Sequence, residues 1–310
     1  RHRERAIVGG KAPMNVTDHP RLVVAIAVVF TSLSAIFVRL ASAPPLAIAA
    51  FRMLFSTLLL VPAAIRNRAG EWSRVTLKDI AVSVAGGVFL AVHFATWISS
   101  LSYTSVASAT VLVNTQPVFL AVAAWIILRE RLSVGEAIAI AGAVGGSAVL
   151  AGVGGGGSEL TGDGLALTGA IAMAGYMIVG RFVRRRMGVL PYTVTVYGSA
   201  AVLLLVTSVA AGHPLAGYPA TDYLLFVAMA VFCTLLGHSL MNWALAYLDA
   251  TFIGTAFLGE PVIASVLAAF LFAEYPTVAT VVGGAIILVS LYAFTRFAAM
   301  RSRDRDAPDR

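Results

Sequence analysis

Glu260 is the residue of this sequence with the clearest capacity for chemistry, because it lies near the middle of an apolar segment, 250–272. A carboxylate in such surroundings costs several kcal/mol unless it is paired, protonated or in contact with water. Pro261 follows and has no N–H, so the carbonyl of Phe257 loses its helical partner and can bind a solute, water or another helix. We predict that Glu260 binds an amine or a proton. A structural ion pair or a protonated packing contact is the alternative.

Arg52 is a second charged side chain inside an apolar segment, six residues into 46–65. A guanidinium can bind a carboxylate through two parallel hydrogen bonds, so Arg52 is a candidate for holding an acidic group of a solute. The other interpretation is that this long side chain snorkels to the nearest polar interface or bonds carbonyls at a helix end.

Two histidines lie in corresponding regions of the two halves of the chain. His93 and Trp97 are four residues apart and would share a helix face, as would His238 and Asn242. Trp243 lies about 100° further round the same helix. The two histidines are predicted to line the two mouths of one cavity, as gates or proton relays. A packed imidazole bonded to a backbone carbonyl is the alternative.

Asn114 and Gln116 are amides that precede Pro117 in another apolar segment. Amides can bind polar solutes, but they also hold membrane helices together at about 1 kcal/mol. Gln116 ranks ahead of Asn114 as a binding residue, because Gln116 corresponds to Glu260 in an internal repeat. Pro117 and Pro261 are both expected to interrupt their helices.

The elements that must position these side chains follow from the composition. The chain has 310 residues, of which 59% are hydrophobic and 12% charged, and its mean hydropathy is +0.88. A soluble domain has roughly a quarter charged residues, so this chain could not cover its surface with polar groups. The composition excludes a cytosolic enzyme, a disordered chain and a disulfide-stapled secreted domain. It predicts an all-α membrane protein of about ten spans.

Ten apolar segments can be drawn, and all are predicted to be transmembrane helices. Their long apolar runs have no strict period of two, and open sheet edges cannot lie in lipid. Gly142 with Gly146, and Ala279 with Gly283, form small-residue faces that indicate close packing within or between protomers, which leaves a homodimer open. The segments are 22–40, 46–65, 78–99, 104–128, 134–151, 162–182, 190–211, 221–246, 250–272 and 277–298.

The positive charges predict an orientation. The net charge is +7, and twenty of the 22 Lys and Arg residues lie on one side if the N-terminus is cytoplasmic. Arg39 alone falls on the opposite side, and Arg52 lies inside a span. This asymmetry predicts an even number of spans, with both termini in the cytoplasm; the plasma membrane as location is implied only by the family resemblance described below. Because the basic residues are explained by topology, no nucleic-acid partner is expected.

The chain is predicted to divide into two halves of five spans. A Gly-rich linker, 152–161, separates the first half, 22–151, from the second, 162–298. A basic tail, 1–21, precedes them, and another tail, 299–310, follows. Part of the first tail is expected to lie upstream of the true start, at Met14.

The two halves share a pattern of residues. Gln116-Pro117 and Glu260-Pro261 are 144 residues apart, and so are Glu130 and Glu274. Such self-similarity indicates an internal repeat. Since each repeat has an odd number of spans, the two must cross the membrane in opposite directions, as inverted repeats do.

Both proline motifs belong to longer stretches with the pattern of one family. The stretches are Ala49-Ala50-Phe51-Arg52, then Ser105-Val106-Ala107-Ser108-Ala109 through Gln116-Pro117-Val118-Phe119 to Leu128-Arg129-Glu130-Arg131-Leu132, and Leu258-Gly259-Glu260-Pro261-Val262 to Phe272-Ala273-Glu274. They resemble the EamA branch of the drug/metabolite transporter superfamily, from about Leu22 to Phe297. Gln116 departs from the apolar or small residue that many members have before this proline.

The resemblance implies a ten-helix permease or exporter of small metabolites that works by alternating access, with amino-acid exporters as the nearest analogy. Arg52 and Glu260 together would suit a zwitterion such as an amino acid, with proton coupling left open. The expected partners are a small-molecule substrate and the lipid bilayer, without a metal or cofactor.

The runner-up is a membrane-embedded enzyme acting on a lipid or small polar substrate. Such an enzyme would need clustered carboxylates, or a nucleophile with its base. Glu260 is the only clearly central acid in the segments. The sequence has no Gly-rich Lys-Ser/Thr loop, so ATP-driven transport within this chain is excluded.

The topology predicts that a cysteine near residue 305, in a Cys233→Ala background, reacts with a membrane-impermeant thiol reagent only from the cytoplasmic side. The measurement compares labelling of intact cells with labelling of inside-out vesicles. Labelling in intact cells would contradict the even number of spans.

Overall fold

Helices joined by short loops, without strands, make up the part of the chain that the structure describes. The computed structural model describes residues 20–67, 70–128, 132–153, 157–184, 186–244, 247 and 256–306. The first half contains α1 (Pro20–Leu40), α2 (Pro45–Arg66), α3 (Leu77–Ser100), α4 (Val106–Val113), α5 (Gln116–Leu128) and α6 (Val134–Val153). The second half contains α7 (Gly157–Val183), α8 (Val189–Ala210), α9 (Ala220–Ala228), α10 (Leu240–Ala244), α11 (Gly259–Phe272) and α12 (Val278–Asp306).

Two further helical stretches join these helices. A 3-10 turn, Glu71–Arg74, precedes α3. A π-helical stretch, Met229–Ser239, joins α9 to α10 and makes one continuous helical run, Ala220–Ala244. Each of the ten apolar segments of the sequence therefore contains helix in its described residues.

Seven helical runs among the described residues are long and apolar enough to cross a membrane. They are Pro20–Leu40, Pro45–Arg66, Leu77–Ser100, Glu159–Val183, Val189–Ala210, Ala220–Ala244 and Val278–Met300. Three shorter apolar helices accompany them, and these are Val106–Leu120, Val134–Val149 and Gly259–Phe272.

Local sequence signals explain where several helices begin. Thr76 caps α3, because its hydroxyl accepts the Asp79 N–H at 3.2 Å while the Asp79 carboxylate accepts the Thr76 N–H at 3.0 Å. Ser105 caps α4 by accepting the Ser108 N–H at 3.0 Å. Pro45 begins α2, where a missing N–H costs no helical hydrogen bond.

Helices of the two halves pack against each other. The most extensive contacts join α3 to α7 and α8, α2 to α8, and α6 to α12. On α6, a Cβ added at Gly146 would lie 2.9 Å from the Gly283 carbonyl oxygen on α12. Gly142, also on α6, faces Ser290, which like Gly283 lies on α12. The two small-residue faces are thus used against each other inside one chain, and they give no support to a homodimer.

Several expectations differ from the structure or lie outside it. The Gly-rich linker predicted over 152–161 is helical at both ends, since α6 continues to Val153 and α7 begins at Gly157. Part of the predicted features lies outside the described residues, namely 1–19, Glu130, 154–156, 250–255 and 307–310.

The α6–α12 contact predicts a difference between two neighbouring glycines. Gly146→Val should lower the free energy of unfolding by about 1–3 kcal/mol, because the added methyl groups overpack against the α12 backbone. Gly145→Val is the matched control, since a Cβ there meets nothing within 4 Å. The measurement is thermal or denaturant unfolding in detergent, and equal stability of the two variants would contradict this packing.

Candidate functional site

Two helix starts face each other in the interior of the protein. In the first half, α4 ends at Val113 and α5 begins at Gln116, so Asn114 and Thr115 interrupt the segment that the sequence predicted as one helix. In the second half, Leu258 is a turn residue and α11 begins at Gly259.

Both prolines lie in the first turn of the helix that follows a break. Pro117 is the second residue of α5, and Pro261 is the third residue of α11. An N–H in the first turn has no intrahelical acceptor, so proline is accommodated there without losing a hydrogen bond. Each proline therefore ends the preceding helix and starts the next.

The first break is held by backbone and side-chain donors that share two carbonyls. The Asn114 amide donates to the Thr110 carbonyl at 2.9 Å, and the Asn114 backbone N–H reaches the same carbonyl at 3.3 Å. The Thr115 hydroxyl donates to the Leu112 carbonyl at 2.6 Å, and the Thr115 backbone N–H reaches it at 3.1 Å. Because an unpaired polar group is costly in an apolar interior, these bonds make the interruption tolerable.

Glu260 lies in the first turn of α11, where the partial positive charge of a helix N-terminus favours a carboxylate. The sequence placed it in the middle of a span, and the helix break converts that position into a helix start. Helix α11 packs against α4, at whose C-terminal end Asn114 lies. The break of the first half therefore contacts the break of the second.

A cavity of about 30 Å³ lies at this meeting point. Phe257, whose carbonyl the sequence singled out, lines it together with five residues that the sequence did not single out, namely Thr31, Ser34, Phe94, Val113 and Met173. The structure brings six of the predicted site residues together in its lining, namely His93, Trp97, Asn114, Gln116, His238 and Glu260.

Both histidines line this one cavity. The His93 Nδ1 lies 3.0 Å from the Gly169 carbonyl, and since a carbonyl only accepts, Nδ1 must carry the proton of that bond. The Nε2 atom is then the one left for the cavity. His93 stacks on Trp97, while His238 meets the edge of Phe94 with ring centroids 5.8 Å apart. Both rings contact Phe94 and line the same cavity, while their role at its two mouths stays a prediction.

Arg52 is fully buried, so the interpretation that it snorkels to the interface is wrong. Its Nε donates to the Thr234 hydroxyl at 2.9 Å, and its Nη1 donates to the Ser34 hydroxyl at 2.7 Å. The guanidinium carbon lies 4.2 Å above the centre of the Phe94 ring. Arg52 does not itself line the cavity, although Ser34 and Phe94 do. Among the described side chains it forms no ion pair with Glu260 within 4 Å.

Asn242 and Trp243 do not line the cavity. The Asn242 amide donates to the Tyr176 hydroxyl at 3.0 Å, and Trp243 packs on Tyr247 with ring centroids 4.4 Å apart. Their expected position assumed α-helical spacing from His238. The preceding stretch is π-helical, and its wider turn rotates each residue by less than the 100° of an α-helix. Faces inferred from α-helical spacing are consequently displaced.

The sequence analysis missed Thr31, Ser34, Phe94, Val113 and Met173. The Thr31 hydroxyl donates to the carbonyls of its own helix, as hydroxyls on packed helices commonly do. No spacing rule separates such residues from ordinary packing residues. The one available signal was that Phe94 adjoins His93.

The cavity offers one carboxyl group, two imidazoles, two amides and an indole. Such a set can bind a polar solute and can accept or release a proton. Among the described residues, no group of three or more His, Cys, Asp and Glu side chains could hold a metal ion.

Comparison with known proteins identifies the family of the chain. The model of the EamA-like transporter family matches residues 21–152 and again 160–296. An uncharacterized transporter of Clostridium kluyveri is 22% identical over 244 residues, which are 76% of this chain and 78% of that protein.

A solved crystal structure of a protein 17% identical in sequence superimposes with a TM-score of 0.65. The superposition covers 91% of this chain and 98% of the other, and this likeness shows the fold. Because the family model covers both halves, this multi-pass membrane protein belongs to the EamA-like transporter family.

Proposed function

We propose that this protein is a secondary transporter that exports amino acids or related small metabolites by alternating access. The observation that carries the proposal is the cavity between the two helix breaks. One half supplies Asn114 and Gln116, and the other supplies Glu260 and His238. Interrupted helices that meet at a polar site are a common construction for solute sites in secondary transporters.

The architecture that we propose is ten spans arranged as two inverted repeats of five. Seven long helices and three shorter apolar ones supply the ten elements. The twofold match of one family model, at 21–152 and 160–296, supports a repeat in the sequence. The asymmetry of the basic residues supports cytoplasmic termini, and membership of the family supports the plasma membrane as location.

The size of the cavity supports a conformational cycle. A volume of about 30 Å³ holds water and is too small for an amino acid. A solute can therefore enter only after the helices around the cavity move apart. Alternating access supplies that movement, by rocking one half of the protein against the other.

The chemistry of the lining supports a zwitterionic substrate. The Glu260 carboxylate has no cation within 4 Å among the described side chains, so a protonated amine of the substrate would fit as its counter-ion. Phe94, Trp97 and Met173 offer apolar walls. Arg52 lies behind Phe94 and adds a positive charge close to the site. We further propose that Glu260 exchanges a proton for the amine, with His93 and His238 available to relay it.

Glu260→Gln should reduce transport at least tenfold and remove its dependence on pH, because glutamine can neither bind an amine by charge nor exchange a proton. The measurement is export or counterflow of labelled amino acids in proteoliposomes. Glu159→Gln, at an exposed position on α7, is the matched control. The proposal is contradicted if Glu260→Gln transports at the wild-type rate with an unchanged pH profile. It is also contradicted if the purified protein converts the solute into a product without exchanging it across the membrane.

A further inference from the structure

An unpaired donor lies in the wall of the cavity. Trp97 is 3% exposed, and its Nε1 is buried without a hydrogen-bond partner in the structure. Within the described part of the chain, it is the only such atom whose residue lines the cavity. Because indole N–H can only donate, and leaving it unpaired is destabilising, this position calls for an acceptor.

Three other donors in the cavity lining have acceptors within the protein. The Asn114 amide bonds the Thr110 carbonyl. The His93 Nδ1–H bonds the Gly169 carbonyl, and the Thr31 hydroxyl bonds carbonyls of α1. The Trp97 N–H, by contrast, has no protein acceptor.

We propose that the Trp97 N–H donates to a carboxylate or carbonyl oxygen of the substrate, while Glu260 binds the amine of the same molecule. This inference rests on the proposed transport function and narrows its substrates. A solute that has both an amine and a carboxylate pairs with the Glu260 carboxylate and the Trp97 N–H at once. A simple amine pairs with Glu260 and leaves the Trp97 N–H without an acceptor.

Trp97→Phe tests this inference, because phenylalanine keeps a ring against His93 and removes the donor. In proteoliposomes, the affinity for an α-amino acid should fall about tenfold or more, as expected for the loss of a hydrogen bond to a charged group. The affinity for the corresponding amine without a carboxylate should stay within about twofold. Trp72→Phe is the matched control, since it removes another buried unpaired indole N–H far from the cavity lining.

An equal loss for both compounds, or no loss for the amino acid, overturns the role of Trp97. If Glu260→Gln still impairs transport in that case, the proposed function stands without it. If the wild-type protein carries neither compound, the proposed function fails and this inference fails with it.

A second inference comes from one end of the bundle, where carboxylates of the second half bond groups of the first half. The two oxygens of Glu274 accept the Val106 N–H at 2.6 Å and the Arg39 Nη2 at 3.2 Å. The same Arg39 nitrogen donates to the Thr104 carbonyl at 3.2 Å. Glu274 follows α11, so this contact joins the end of α11 to the end of α1 and the start of α4.

Two more carboxylates repeat this pattern. Asp222 accepts both the backbone N–H of Ser42, at 3.0 Å, and its hydroxyl, at 2.8 Å. Asp163 accepts the Thr104 hydroxyl at 2.9 Å. Apart from the Arg39–Thr104 bond, which lies within the first half, these bonds cross between the halves, and all lie near helix ends away from the arginine-rich loops.

We infer that these contacts form an outer latch that closes the extracytoplasmic end of the protein. The latch comprises Arg39, Ser42, Thr104, Val106, Asp163, Asp222 and Glu274. Access to the cavity from outside requires the two halves to separate at this end, so the bonds must break. The Arg39–Glu274 pair is partly exposed, and such pairs are weak enough to open reversibly.

Cysteine accessibility tests the outer latch without knowledge of the substrate. Met173 lines the cavity, so Met173→Cys in a Cys233→Ala background reports its opening. The double variant Glu274→Gln with Asp222→Asn should react with an impermeant thiol reagent at least threefold faster from outside, and more slowly in inside-out vesicles. Asp79→Asn, which loses a carboxylate at the cap of α3, is the control.

Unchanged rates from both sides overturn the latch, and so does faster labelling from the cytoplasmic side alone. The inference depends on the proposed orientation, which the cysteine near residue 305 tests independently. If labelling is faster from the cytoplasmic side alone, the cysteine near residue 305 shows whether the latch or the proposed orientation of the protein is wrong.

Discussion

The structure depends on how an apolar interior tolerates two interrupted helices. In lipid or a packed bundle, each backbone N–H and C=O needs a partner. At the first break, the Thr110 and Leu112 carbonyls accept the backbone N–H groups of Asn114 and Thr115 and also the side chains of these two residues. Because of the break before Gly259, α11 begins beside the same cavity, with Glu260 in its first turn. Placing the breaks together confines the polar groups to one cavity.

The same constraint explains the surroundings of Arg52. A buried guanidinium with no carboxylate within 4 Å among the described residues must be stabilised by neutral groups. The hydroxyls of Ser34 and Thr234 and the face of Phe94 supply that stabilisation. Thr234 belongs to the π-helical stretch and also donates to the Met229 carbonyl five residues earlier. The cation therefore links α1, α2, α3 and the π-helical stretch behind the cavity wall.

Patterns along the chain predicted much of this site. Glu260, Gln116 and Asn114 were identifiable because a polar group in an apolar run is costly, and a proline beside it marks a helix start. His93 and Trp97 followed from α-helical spacing on a regular helix. The same spacing misplaced Asn242 and Trp243, since it cannot anticipate a π-helical stretch. The snorkelling interpretation of Arg52 was wrong because depth in a segment does not reveal which side chains surround it.

Sequence by itself determined the membrane class, the helical content and the apolar segments, because lipid demands long apolar runs with satisfied backbones. It also indicated the family, which the match to both halves confirms. The tertiary structure alone decided that both helix breaks, both histidines and Trp97 share one cavity. It also decided that Arg52 lies behind that cavity, and that Glu274 joins Arg39 to α4. These contacts join residues far apart in the chain, and their formation depends on how the helices pack.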